Sequence, residues 1–183
     1  MADLSKPRVV AVGGPTASGK TALSVALARA FDGEIINADS MQIYKNLDVG
    51  TAKPSAEERQ GIPHYLLDFL SPETPYSVAD FTAAADPLIQ DITARGRLPL
   101  VVGGTGLYLE SLIRGTDFAA ARRLDIAVFN VQWAEGVTFQ SHLETLDYMR
   151  EKGFKVIPHY SAADAEEAVA RVSSIGEGRE EVP

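Results

Sequence analysis

Residues 8–21 read RVVAVGGPTASGKT, and this stretch decides the fold. Arg8–Gly13 is a short β-branched apolar run, the composition of a strand covered on both faces. Gly14, Pro15, Thr16, Ala17, Ser18, Gly19, Lys20 and Thr21 then match the pattern G-x-x-x-x-G-K-[ST]. Behind them, residues 20–31 place Ala22, Leu23, Ala26, Leu27 and Ala30 at helical spacing, and Asp32-Gly33 stops the helix. Strand, Gly-rich turn and helix in succession are the context in which this pattern cradles phosphate. The glycines allow backbone conformations that aim successive amides at one anion. The helix adds the positive end of its dipole. Lys20 offers a point charge to a terminal phosphate, and Thr21 offers a hydroxyl to Mg²⁺. The plain alternative is an ordinary Gly-rich strand-to-helix turn.

Working outward, residues 34–38 (EIINA) read as a second strand. Residues 41–75 are rich in Pro, Gly and polar side chains, a long functional loop region with short helices. Residues 78–95 are helical in pattern, with Phe81, Leu88, Ile89 and Ile92 on the apolar face. Residues 99–102 (PLVV) form another buried strand, ending in Gly103-Gly104-Thr105-Gly106, and a helix over 107–113 closes at Gly115. Alternating strands and helices predict an α/β fold, a P-loop NTPase-like parallel sheet covered by helices. Such sheets bind ligands at the carboxyl ends of their strands, where each candidate below falls.

The character changes after Gly115. Residues 125–131 (DIAVFNV) and 155–158 read as strands, and 140–152 as a helix with Leu143, Leu146 and Met149 in phase. Residues 161–173 read as a helix with a Ser161-x-x-Asp164 capping box. The expected organisation is a P-loop core over 1–115 followed by a smaller α/β segment over 116–183.

Asp39 closes the second strand, where a carboxylate faces the P-loop across the sheet top. It suits a general base or a holder of metal-bound water; a helix N-cap is the other reading. Thr105 and its flanking glycines suit close approach to a ligand, or a plain strand-to-helix turn. The strand before them lacks the Asp that ATP-hydrolysing relatives of this fold carry, which weakens an ATPase reading. Lys53, taken alone, reads as a solvated loop cation. His64, His142 and His159 share no metal-ligand spacing and read as ordinary polar or core histidines. Trp133 reads as packing, and residues 177–181 as a solvated tail.

Composition bounds the partners. The formal net charge is −8, against a chain-wide nucleic-acid footprint, though a local basic patch is compatible with it. The chain has no cysteine, excluding disulfides and thiolate chemistry and suiting the cytoplasm. Its 45% hydrophobic content supports a packed core. No apolar run suits a signal peptide or a membrane span, and no feature speaks to oligomeric state.

Four blocks in order, GPTASGKT, INADSMQIYKNLDVGTAKP, PHYLLDFLSPETPYSVADF and RGRLPLVVGGTGLYLESLIRG, resemble bacterial tRNA dimethylallyltransferases over about residues 7–115. The resemblance implies transfer of a dimethylallyl group from dimethylallyl diphosphate to N6 of an adenosine beside the anticodon of a tRNA. The P-loop, Gly14 to Thr21, would then hold a diphosphate leaving group with Mg²⁺. Asp39 would be the general base. Ser40, Met41 and Gln42 would complete the turn that contacts the tRNA adenosine. Thr105 would orient diphosphate and substrate, with Lys20 neutralising the leaving group. The family's tRNA-gripping helical part is not recognisable after Gly115, so impaired transfer and weakened or lost tRNA binding are expected. Residues 120–183 instead resemble a stretch of the adenylation domain of bacterial NAD-dependent DNA ligase, without the K-x-D-G nucleophile motif, as in a truncated transferase joined to a ligase fragment. Two other functions fit the P-loop: a small-molecule kinase using ATP, and a non-catalytic nucleotide- or diphosphate-binding fragment.

Overall fold

The computed structural model describes residues 8–48, 50–114, 125–130 and 155–157, together with Glu166, Val169, Ala170 and Ser173. Six strands, β1 (Arg8–Gly13), β2 (Gly33–Asn37), β3 (His64–Tyr65), β4 (Leu98–Gly103), β5 (Asp125–Asn130) and β6 (Lys155–Ile157), form one sheet in the order β3-β2-β4-β1-β5-β6. All its pairings are parallel. The helices are α1 (Lys20–Ala30), α2 (Ala56–Arg59), α3 (Val78–Ala94) and α4 (Gly106–Arg114).

The continuous apolar runs follow from cover on both faces. On β1, Val10 and Val12 point to one face and pack with Leu23, Val25, Leu27 and Ala28 of α1. Val9 and Ala11 point to the other and pack with Phe81, Ala85, Ile89 and Ile92 of α3 and with Tyr108 and Leu112 of α4. Ile35 and Ile36 of β2, and Leu100 and Val101 of β4, divide the same way. Phe81 stacks on Tyr108 with ring centroids 4.4 Å apart. Helix α3 starts at a capping box, in which Asp80 N donates to Ser77 Oγ at 3.2 Å and Ser77 N to Asp80 Oδ2 at 2.8 Å.

The segment after residue 115 joins this sheet. β5 pairs with β1 along its whole length, from Arg8 opposite Asp125 to Gly13 opposite Asn130. β6 extends the edge, and Val169 packs against the α1-side core. The helix predicted over 140–152, the Ser161 capping box, His142, His159, Trp133 and the acidic tail lie outside the described residues. The region 41–75 contains the short helix α2 and a strand the sequence does not announce, β3. Two residues are too few to show an alternating pattern.

Candidate functional site

The chain leaves β1 toward one face of the sheet, through α1, and leaves the adjacent β4 toward the other, through α4. Neighbouring strands whose connections diverge open a crevice at their carboxyl ends. Three loops meet there. A Cβ placed on Gly104 would lie 3.3 Å from Gly14 O and 3.5 Å from Asp39 Oδ2, so the ends of β1, β2 and β4 converge within one contact shell.

The first loop is the P-loop. Ala17 has φ 63° and Gly19, at the N-cap of α1, has φ 83°. Left-handed residues alternating with ordinary ones turn amides inward, the geometry of an anion nest. No side chain caps α1. Ser18 Oγ is buried without a partner. Buried polar groups are ordinarily satisfied, so an unpaired hydroxyl beside an uncapped helix start marks a place for an acceptor. Lys20 Nζ donates to Pro15 O across the loop. Burial lowers the Lys20 pKa, and the negative field of Asp39 opposes the shift. Thr21 and Asp39 line the crevice with Lys20, giving oxygen donors of the kind Mg²⁺ takes beside phosphate oxygens.

The second loop follows β2. Asp39 Oδ1 accepts from the amides of Met41 at 2.9 Å and Gln42 at 3.3 Å. The capping behaviour weighed for Asp39 is therefore present, as a turn rather than at a helix, and it occupies only one carboxylate oxygen. Oδ2 is the one beside Gly104. Met41 is exposed, at 51%.

The third loop follows β4. Thr105 Oγ1 accepts from Ser40 N at 2.8 Å and lies 3.2 Å from Ser40 Oγ. Thr105 N donates to Ala38 O at 3.3 Å. Thr105 thus ties the β4 loop to the Asp39 turn. Gly103 makes this possible, since a Cβ there would sit 2.2 Å from both C and O of Ala38. Gly103→Ala is expected to cost about 3 kcal/mol or more of stability, because the obstruction is backbone. Urea unfolding of the two proteins checks it; equal midpoints would mean the strands can part freely.

Two residues read as bland in sequence take defined places. His64, at the start of β3, lines the crevice with Nδ1 2.8 Å from Ile62 O, and burial lowers its pKa. Lys53 is not a solvated cation: its side chain is only 7% exposed and its ammonium is fully engaged. No single-residue pattern signals Lys53, since its partners are brought together by the loop's path.

A Gly-rich turn of the P-loop pattern at the head of a parallel α/β sheet, with a carboxylate at the end of the next strand in the chain, gives the architecture of a P-loop protein. The chain belongs to the IPP transferase family, whose model matches residues 42–165. That match runs past Gly115, where the quoted sequence blocks end. A tRNA dimethylallyltransferase from Staphylococcus haemolyticus is 57% identical over 118 residues, covering 64% of this chain and 36% of that protein. The crystal structure of a tRNA isopentenylpyrophosphate transferase from Staphylococcus epidermidis matches at 50% identity with a TM-score of 0.59, over 63% of this chain and 38% of that one. The full-length enzyme from Bacillus halodurans matches at 34% identity and TM-score 0.60, over 93% of this chain and 56% of that one. The chain therefore spans well under half the length of its Staphylococcus relatives.

Proposed function

We propose that this chain carries the diphosphate-binding and proton-accepting part of a prenyl transfer to tRNA: a dimethylallyl group passes from dimethylallyl diphosphate to N6 of an adenosine next to the anticodon. The observation that carries the reading is Asp39 Oδ2 beside Gly104, at the point where the P-loop and the β4 loop converge. The relatives' names supply the substrate class.

The residues then divide the work. N6 attacks the allylic C1, the C1–O bond breaks, and diphosphate departs with the electron pair. Developing negative charge on the leaving group is the main demand, and preorganised donors meet it best. The amides of residues 16–19, Ser18 Oγ and the Lys20 ammonium are those donors. Asp39 Oδ2 accepts the N6 proton, while Oδ1 keeps the Ser40–Met41–Gln42 turn shaped to receive the adenosine. Thr105, through Ser40, sets the distance between that turn and the diphosphate. Thr21 would hold Mg²⁺ against the diphosphate oxygens, and the ion would neutralise part of the leaving group's charge. β4 brings no carboxylate to the crevice, consistent with a reaction that activates no water.

Residues 116–183 support the sheet through β5 and β6. No ligase chemistry is proposed for them, because the K-x-D-G nucleophile motif is missing. Among the described residues no helix is long and apolar enough to cross a membrane. A tRNA substrate and a chain without cysteine both suit the cytoplasm. Labelled dimethylallyl diphosphate, Mg²⁺ and an unmodified anticodon stem-loop test the function. Label is expected to move to the RNA, slowly if residues beyond this chain grip the tRNA. Diphosphate binding without any transfer would leave only a binding fragment, and phosphorylation of a small acceptor by ATP would replace the reading with a kinase.

A further inference from the structure

The loop that carries the Asp39 turn is long and largely exposed, with little regular structure between β2 and β3. Exposed loops of this kind ordinarily open at little cost in free energy. A turn that must hold a base against an acceptor needs support from elsewhere, and the hydrogen bonds show where it comes from. Asp68 N donates to Gln42 O at 3.0 Å, and Lys45 N to Leu70 O at 2.8 Å. Phe69 N and Leu70 N both reach Ile43 O. Gln42 Nε2 donates to the carbonyls of Thr51 and Ala52, each at 3.0 Å. The turn is thus laced to two other stretches, around 51–52 and 68–70.

Lys53 stands where those stretches meet. An ammonium has three donors. Here they go to Tyr44 O at 2.8 Å, Asp48 Oδ1 at 2.6 Å and Asp68 Oδ1 at 2.7 Å. Both carboxylates lie against one nitrogen, so without it they would face each other as like charges. The carboxylates are half-exposed or more while the lysine side chain is 7% exposed, so the cation is the buried hub and the anions are its outer clasps. Asp68 in turn connects directly, through its own amide, to the backbone of Gln42, whose amide is bound by Asp39.

We propose that Lys53 is a positioning residue: by clasping Tyr44, Asp48 and Asp68 it holds the Asp39–Gln42 turn in the shape that presents the acceptor. As a statement about the acceptor, this rests on the function proposed above; as a statement about the turn, it does not. The hydrogen bonds and ion pairs of Lys53 go to Tyr44, Asp48 and Asp68 and not to the P-loop or Asp39, so its loss should act on the turn and leave the diphosphate cradle alone.

Two readouts on the full chain separate these. The first is amide hydrogen exchange in the absence of substrate. In Lys53→Met, exchange at Met41 and Gln42 is expected to rise about tenfold or more as local opening becomes easier, with α1 amides such as Leu27 unchanged. Lys53→Arg should restore most of the protection. Lys53→Met combined with Asp48→Asn and Asp68→Asn should recover part of it, since the repulsion is gone. The second is transfer kinetics: kcat is expected to fall roughly 10- to 100-fold, the scale of a misplacement remote from the chemistry, while KM for dimethylallyl diphosphate stays within about twofold. Unchanged exchange at Met41 and Gln42 would overturn the proposal. So would acceleration at α1 to the same degree, which would make Lys53 a general structural residue. A loss confined to KM for the diphosphate would also overturn it. If the wild-type chain transfers nothing, the proposed function fails for this chain, and the exchange data still decide the role of Lys53.

Discussion

Asp39→Asn is expected to lower the rate of prenyl transfer by roughly 10²- to 10⁴-fold, the usual contribution of a positioned general base, and to leave diphosphate affinity nearly unchanged. The substitution separates the two jobs of this side chain. Asparagine keeps an Oδ1 acceptor for the amides of Met41 and Gln42, so the turn survives. It cannot take up a proton at the second position. Asp39→Ala removes both functions and should be at least as inactive, with exchange at Met41 and Gln42 accelerated as well. Single-turnover transfer from a preloaded diphosphate complex reads the chemical step alone. A rate for Asp39→Asn within a few-fold of the parent would show that Asp39 only shapes the turn, and that the proton leaves by another route.

The second large effect lies at the opposite end of the sheet. Glu34, at the start of β2, is 1% exposed. Its carboxylate accepts from Arg95 Nη2 at 2.7 Å and from Tyr65 OH at 2.8 Å, and Arg97 pairs with the other oxygen. The hydrogen bond from Arg95 holds the carboxyl down to about 2, against burial, with Tyr65 and Arg97 adding to the effect. A folded-state pKa below the unfolded value means stabilisation that is complete above the unfolded pKa of 4.5 and lost as pH falls toward 2. The shift corresponds to about 3 kcal/mol. Glu34→Gln should forfeit up to about that much at pH 7, because Arg95 and Arg97 are partly exposed and keep Asp91 and Asp32 as partners. Its stability should then vary less than the parent's between pH 5 and pH 2, and diphosphate affinity should not change. Urea unfolding across that range is the check. Parallel pH profiles for the two proteins would mean that the pair contributes nothing net.

These two sites differ in how far sequence could reach them. The P-loop and its flanking strand and helix are written within residues 8–31, where each piece is a short-range pattern and the order of the pieces supplies the context. A topological rule, that strand ends gather on one edge, and the resemblance of the surrounding blocks put Asp39 and Thr105 near it. The contact between Thr105 and Ser40 bears out their proximity; what Thr105 does to a substrate is a separate question. Glu34 is different. A carboxylate inside EIINA reads only as a charge in a strand, and nothing local says that Arg95 and Arg97, far downstream, will close over it. Lys53 fails for the same reason, because its partners come from three stretches brought together by loop geometry. The pairing of β5 with β1 could not be read either, since an apolar run such as DIAVFN fits any buried position in a parallel sheet.

Diphosphate binding depends on the donors gathered at the head of α1: the left-handed turn, the uncapped helix start, the buried Ser18 hydroxyl and the Lys20 ammonium. Thermal unfolding with millimolar dimethylallyl diphosphate and Mg²⁺ tests this most directly, in the parent and in Lys20→Ala. At a concentration near 100 times Kd, binding adds about 2.7 kcal/mol, which for a chain of this size corresponds to a rise in Tm of roughly 5–10 °C. The parent is expected to show that rise and Lys20→Ala little or none of it. A parent that melts at the same temperature with and without the ligand, or a variant protected as well as the parent, would contradict the account.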